Sequence, residues 1–153
     1  MMLYIEVDSS CLEDYWDGEQ YGDWYQSLDF SIKSVHLQKP EYATYEEFEV
    51  PFDVVSGDEV HILWMMYSSG DSFGQSDGNH ELIWIFKDKE VAKAAEISYT
   101  NIATNESINN NCDHDSSMIT IVIDSGEEMK LSNPAWGYFE NVSSINLQTF
   151  KVE

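Results

Sequence analysis

Between Leu12 and Tyr25 the sequence interleaves five carboxylates, at Glu13, Asp14, Asp17, Glu19 and Asp23, with five large aromatic rings, at Tyr15, Trp16, Tyr21, Trp24 and Tyr25. Tryptophan and tyrosine are favoured anchors at protein interfaces, and carboxylates around them complement a cationic partner. The competing reading plugs the rings into a core and leaves the acids in water. Read as a contact surface, the segment offers Glu13, Asp14, Trp16, Asp17, Glu19, Tyr21, Asp23 and Trp24, with the two tryptophans as anchors. A second acidic surface is expected at Glu46, Glu47 and Glu49. Carboxylates two residues apart on a strand are separated by about 6.6 Å, a spacing that could stand in for successive phosphates. Asp71 and Asp77 form a third candidate surface.

Other constellations point to chemistry less well. Asp71, Ser72, Ser76, Asp77, Asn79 and Glu81 are oxygen ligands suited to a hard cation. Their offsets do not fit the D-x-[DN]-x-[DN]-G-x5-E calcium loop, so a plain hairpin tip is the expectation. Asp113-His114-Asp115 has no second histidine at a strand or helix spacing beside it, and His36, His61 and His80 are scattered singly. Glu128-Met129-Lys130 with Asp113 or Asp115 upstream loosely matches the D…E-x-K pattern of metal-dependent nucleases, which must hold DNA. No nucleophile elbow, phosphate-cradling glycine loop or cysteine–histidine pair stands out. The expectation is a protein that is not an enzyme, with no catalytic residue, no metal and no cofactor.

The charge balance argues against nucleic acid as a partner. The 153 residues carry 29 Asp and Glu against 7 basic residues, a formal net charge of -22, and every base is a lysine. With no arginine, the planar fork that reads guanine edges and grips phosphates is missing. Binding to nucleic acid or to an anionic membrane rests on cationic contacts, which this chain would oppose. A basic protein surface would instead be attracted and steered in. Apolar residues at 42% and aromatics at 14% place the chain among folded proteins rather than disordered acidic tails. No run approaches a membrane span, the start lacks the basic and apolar regions of a secretory signal, and Cys11 and Cys112 read as thiols in a reducing compartment. A cytoplasmic protein is expected, with homodimerisation left open.

These residues must be positioned by mostly β structure. A first strand is expected at about residues 2 to 7, followed by an acidic and aromatic insert at about 9 to 29 with no steady period. Strands are expected at Phe30 to Gln38 and at Thr44 to Val50. The latter alternates Tyr45, Glu47 and Glu49 against Glu46, Phe48 and Val50 and, being so acidic, belongs at a sheet edge. Val60 to Tyr67, Glu81 to Phe86 and Met118 to Ile123 are apolar on both faces and read as central strands. The first two should form a hairpin with a long tip over 68 to 79. Asp88 is a good N-cap for a helix over about 89 to 103, with Val91, Ala95 and Ile102 on one face. Asn109 to Asn111 should follow as a loop, Asp124 to Glu127 as a hairpin turn, and Ser144 to Val152 as the last strand. The sum is one α+β domain over residues 1–153: a mainly antiparallel sheet with one helix on a face.

The run Tyr67-Ser68-Ser69-Gly70-Asp71-Ser72-Phe73-Gly74, with Gly78, Glu81, Phe86-Lys87-Asp88 and Glu90-Val91-Ala92, resembles a stretch of short acidic uncharacterised proteins encoded by bacteriophages. The resemblance covers about residues 67 to 95. It implies a setting in which small acidic proteins disarm host proteins, some by imitating DNA. The leading expectation is therefore a non-enzymatic inhibitor that binds a basic, nucleic-acid-handling surface of a host defence protein or toxin. Two alternatives are an immunity protein for a cognate toxin and a small-ligand or carbohydrate-binding module with a calcium-dependent loop.

Overall fold

The computed structural model describes residues 1–17, 23–70, 74–104, 118–122, 128–132 and 142–153, with side chains placed over 1–12, 27–68, 76, 78–101 and 142–153. Among the described residues eight strands and one helix follow in chain order: β1 Met2–Asp17, β2 Asp23–His36, β3 Tyr45–Glu49, β4 Glu59–Gly70, β5 Gly74–Phe86, α1 Lys89–Thr104, β6 Met118–Val122, β7 Glu128–Ser132 and β8 Val142–Lys151. Six strands lie in the order β3-β1-β2-β5-β4-β8, and β6 and β7 form a separate pair. Every neighbouring pair is antiparallel except β2 and β5, which run parallel over Trp24–Ser27 and Gly74–Asp77. The expected α+β class with a mainly antiparallel sheet holds.

The six strands fold onto themselves. Inward residues of β1 and β2 (Leu3, Ile5, Val7, Phe30, Ile32, Val35) pack with Val60, Ile62 and Trp64 of β4 and Ile85 of β5 in one core. The Phe30 and Trp64 rings meet edge-on at 5.2 Å between the two halves. At the far end of β2 the halves close again, where Val35 bridges Val152 and Glu153 N–H donates to Val35 O. On the outer face of the second half α1 buries Ala92, Ala95 and Tyr99 against Leu63, Met65, Ile83 and Phe86. Two alanines let the helix approach closely, and Tyr99 fills the depth between them, each fully buried large side chain contributing about 1.5–3 kcal/mol. The expected stripe differs in detail: Ala92 and Tyr99 join Ala95, Val91 is half-buried, and the Ile102 side chain lies outside the described residues. Asp88 caps the helix as expected, its Oδ1 accepting from the N–H of Glu90 at 2.8 Å and of Val91 at 3.2 Å.

Three expectations need correction. The stretch over 9 to 29 is no insert, because β1 and β2 pair across it up to Asp17 and Asp23. The register shift at Cys11/Glu13, where Leu12 is an extra residue on β1, explains why no steady period was legible in this stretch: an extra residue in a strand flips every later side chain to the other face. The supposed loop over 68 to 79 is mostly strand, with β4 running to Gly70 and β5 starting at Gly74. Met118–Val122 is not central, since among the described residues β6 pairs only with β7, and it lies near α1; Ile123 lies outside the described residues. A run apolar on both faces signals burial but not which neighbour supplies it. By contrast β4 and β5 are interior strands and β3 is an edge, as expected. The strands on either side of Asp124 to Glu127 pair antiparallel. That turn and the loop expected at Asn109 to Asn111 lie outside the described residues.

Candidate functional site

The long β1 strand decides which candidate residues share a surface. Its register sets Trp16 opposite Trp24 and Asp17 opposite Asp23, and β2 in turn sets Trp24 beside Gly74 and Ser27 beside Asp77. Glu13, Asp14, Trp16, Asp17, Asp23, Trp24 and Asp77 thus occupy neighbouring backbone rows at one end of the fold, although they were expected on two separate surfaces. Their side chains, together with residues Glu19, Tyr21 and Asp71, lie outside those described. Glu46, Glu47 and Glu49 sit at the opposite end, where β3 pairs with Met2–Glu6 of β1. From Tyr4, the partner of Glu47, to Asp17 is about 43 Å of extended strand.

On β3 the three glutamates part company. Glu46 turns inward with Phe48, and its Oε1 lies 2.5 Å from His80 Nε2 on β5. His80 in turn stacks flat on Phe30, with ring centroids 3.6 Å apart and 9° between planes. Phe48 meets Trp84 edge-on at 5.8 Å. Two contacts therefore pin β3 to the second half of the sheet. Glu47 and Glu49 face outward and are exposed, with Lys39 Nζ 3.8 Å from Glu47 Oε1. In the sequence His80 stands singly. Its pairing with a residue 34 positions earlier leaves no local signal.

Where β5 leaves β2, a cleft of about 260 Å³ opens, lined by Ser9, Ser10, Cys11, Leu28, Asp29, Gly78 and His80. Its lining is mostly small and polar, from β1, β2 and β5. Gly78 has φ 80°, and a Cβ there would fall 1.9 Å from Leu28 O, so only glycine allows this approach of β5 to β2.

A second histidine cluster lies on the outer face of β1 and β2. Ser34 Oγ shares a 2.8 Å hydrogen bond with His36 Nε2, and His36 Nδ1 is 3.4 Å from Glu153 Oε2. The order serine, histidine, carboxylate matches a hydrolase triad in connectivity. However, Glu6 Oε1 is also 3.4 Å from Nε2, and Lys33 Nζ is 3.5 Å from Glu6 Oε2. Ser34 and His36 sit two apart on a strand, none of these residues lines the cleft, and the cluster reads as a polar network tying β1, β2 and Glu153 together. His61 is buried and shares a 2.7 Å hydrogen bond with Thr149 Oγ1; burial holds its imidazole below the usual value. Burial likewise pushes the Tyr99 phenol well up.

Among the described residues no group of three or more His, Cys, Asp or Glu is placed to hold a metal, and no helix is long and apolar enough to cross a membrane. Comparison with protein-family models, with curated proteins and with solved structures finds no match to this chain.

Proposed function

We propose that this chain is a non-enzymatic binding protein that covers a basic, nucleic-acid-handling surface of another protein and so inhibits it. The observation that carries the reading is a net charge of -22, with no arginine, on a folded β scaffold. The fold supports it in two ways. Acidic positions gather in adjacent backbone rows at the β1–β2 and β4–β5 ends, and Glu47 and Glu49 stand exposed on a rigidly held edge strand. The acids are only partly offset within the chain: Lys33 pairs with Glu6, Lys39 with Glu47, and Lys87 donates to the Asp53 carbonyl. The resemblance of residues 67–95 to phage proteins supports a host defence protein as the target, and an immunity protein against a toxin places the same charges against the same kind of surface.

The test is capture of partners from a host lysate by the tagged protein, at low and at high salt, alongside a panel of purified nucleases and restriction effectors. A partner held at low salt and released at high salt, and inhibited in its nucleic-acid activity, is the expected result. Exposed charges are screened within about 8 Å at physiological ionic strength, so a complex indifferent to salt argues for a different mode. Absence of any salt-sensitive complex across the panel removes the proposal. For the calcium-dependent ligand module, residues 74 to 79 are strand rather than loop, and residues 71 to 73 lie outside those described.

A further inference from the structure

Strand β3 forms one border of the sheet, with β1 on one side and no described strand on the other. Its backbone polarity follows from the bonds at its two ends. Val50 N–H donates to Met1 O, and Val7 N–H donates to Thr44 O. In an antiparallel ladder the direction of the N–H and C=O groups alternates residue by residue. The even-numbered residues 44 to 50 therefore face β1, and Tyr45, Glu47 and Glu49 turn their N–H and C=O groups toward the open edge. These same three residues direct their side chains to the outer face, because they lie opposite Glu6, Tyr4 and Met2 while Phe48 and Glu46 lie opposite the inward Leu3 and Ile5.

The geometry points to β3 as a docking edge for an extended, basic segment of another protein, which adds to the sheet as a further strand. This rests on the proposed binding of a basic partner and specifies how it is recognised. A strand paired to Tyr45, Glu47 and Glu49 gains main-chain hydrogen bonds from the edge, and its own outward side chains fall beside the two carboxylates. Lysine or arginine at alternate positions of the segment fits that row, whereas acidic or uncharged segments do not. Lys39 already shows that an ammonium reaches Glu47, at 3.8 Å. The edge is also preorganised: Glu46 to His80 and Phe48 to Trp84 hold β3 in place before a partner arrives, which lowers the ordering cost of binding. A second copy of this chain is the disfavoured occupant, since β3 against β3 brings Glu47 and Glu49 close to their own copies and like charges across a strand pair repel.

The experiment uses a nine-residue synthetic peptide alternating arginine and valine, an alternating glutamate and valine control, and the arginine peptide N-methylated on the residues that pair with the edge. With 15N-labelled protein, the arginine peptide should shift the amides of Tyr45, Glu47 and Glu49 and slow their hydrogen exchange. N-methylation of the peptide should weaken binding at least about tenfold by removing the main-chain donors. Glu47→Pro removes an outward N–H without touching the ladder to β1, and should weaken the unmethylated peptide by a similar factor while Leu3 and Ile5 stay protected. The double change Glu47→Gln, Glu49→Gln should weaken it a few-fold and flatten its salt dependence. Equal binding of the methylated and unmethylated peptides, or protection elsewhere than at these three amides, overturns the edge and leaves the acidic-binder reading standing. Failure of the arginine peptide to bind at low salt overturns the docking edge, while the acidic-binder reading is decided separately by the capture experiment. Protection that appears in the protein alone and grows with its concentration assigns the edge to a second copy instead.

Discussion

Replacing Gly78 by alanine tests whether the two halves of the sheet are joined where the structure joins them. An added Cβ would fall 1.9 Å from Leu28 O and 2.8 Å from its carbonyl carbon, whereas real contacts essentially never come under 3.0 Å. The obstacle is main chain, so β2 and β5 must part by about 1 Å or the parallel pairing of Trp24–Ser27 with Gly74–Asp77 must open. Positive φ at a residue with a Cβ costs about 1–2 kcal/mol, and an overpacked contact adds about 1–3 kcal/mol. The sum is about 2–5 kcal/mol, a large share of the roughly 5–15 kcal/mol that holds a domain of this size. Gly57 separates the two contributions: its φ is 94°, it sits in the turn closed by Asp58 N–H donating to Val55 O, and a Cβ there meets nothing within 4 Å. Gly57→Ala should therefore lose only the backbone part, about 1–2 kcal/mol. Urea unfolding of both variants beside the parent, followed by tryptophan fluorescence, measures the difference. If Gly78→Ala loses no more stability than Gly57→Ala, the close approach of β5 to β2 is wrong, and with it the walls of the Gly78 and His80 cleft.

Asp88→Ala should cost about 1 kcal/mol by leaving the first N–H groups of α1 without their carboxylate, read as a lower Tm. Stability should also fall on acidification through His61: burial holds its folded value below the ordinary 6.5, so below about pH 6.5 the unfolded chain binds a proton that the folded chain refuses until the pH passes its own lower value. Titration of the 29 carboxylates adds its own pH dependence, so the measurement is the difference between the parent and His61→Gln, which should narrow as pH falls from about 7.5 to 5.5; parallel curves contradict it. Tyr42 has φ 61° and is fully exposed, so Tyr42→Asn should stabilise the fold by about 0.5–1 kcal/mol in the same urea assay, because asparagine tolerates that backbone and no packing is lost.

The sequence by itself determined what depends on composition and on neighbours a few residues apart. The absence of arginine and the charge of -22 are properties of the chain in any conformation. The Asp88 cap is legible because a capping carboxylate and the N–H groups it serves are two and three residues apart. The edge position of β3 follows from its acids, and the interior position of β4 from an apolar run that needs cover on both sides. Only tertiary structure decided the rest. Extra residues at Leu12 on β1 and Lys33 on β2 broke the two-residue alternation and hid the pairing of β1 with β2. Parallel pairing of β2 with β5 brought Asp77 beside the aromatic hairpin and left β3 at the other end, and no local pattern records which strand a strand will choose. Glu46, legible only as one of three similar acids, is turned inward to His80 while Glu47 and Glu49 face out. A strand's alternation separates its two faces, but which face meets another layer is settled by what packs there.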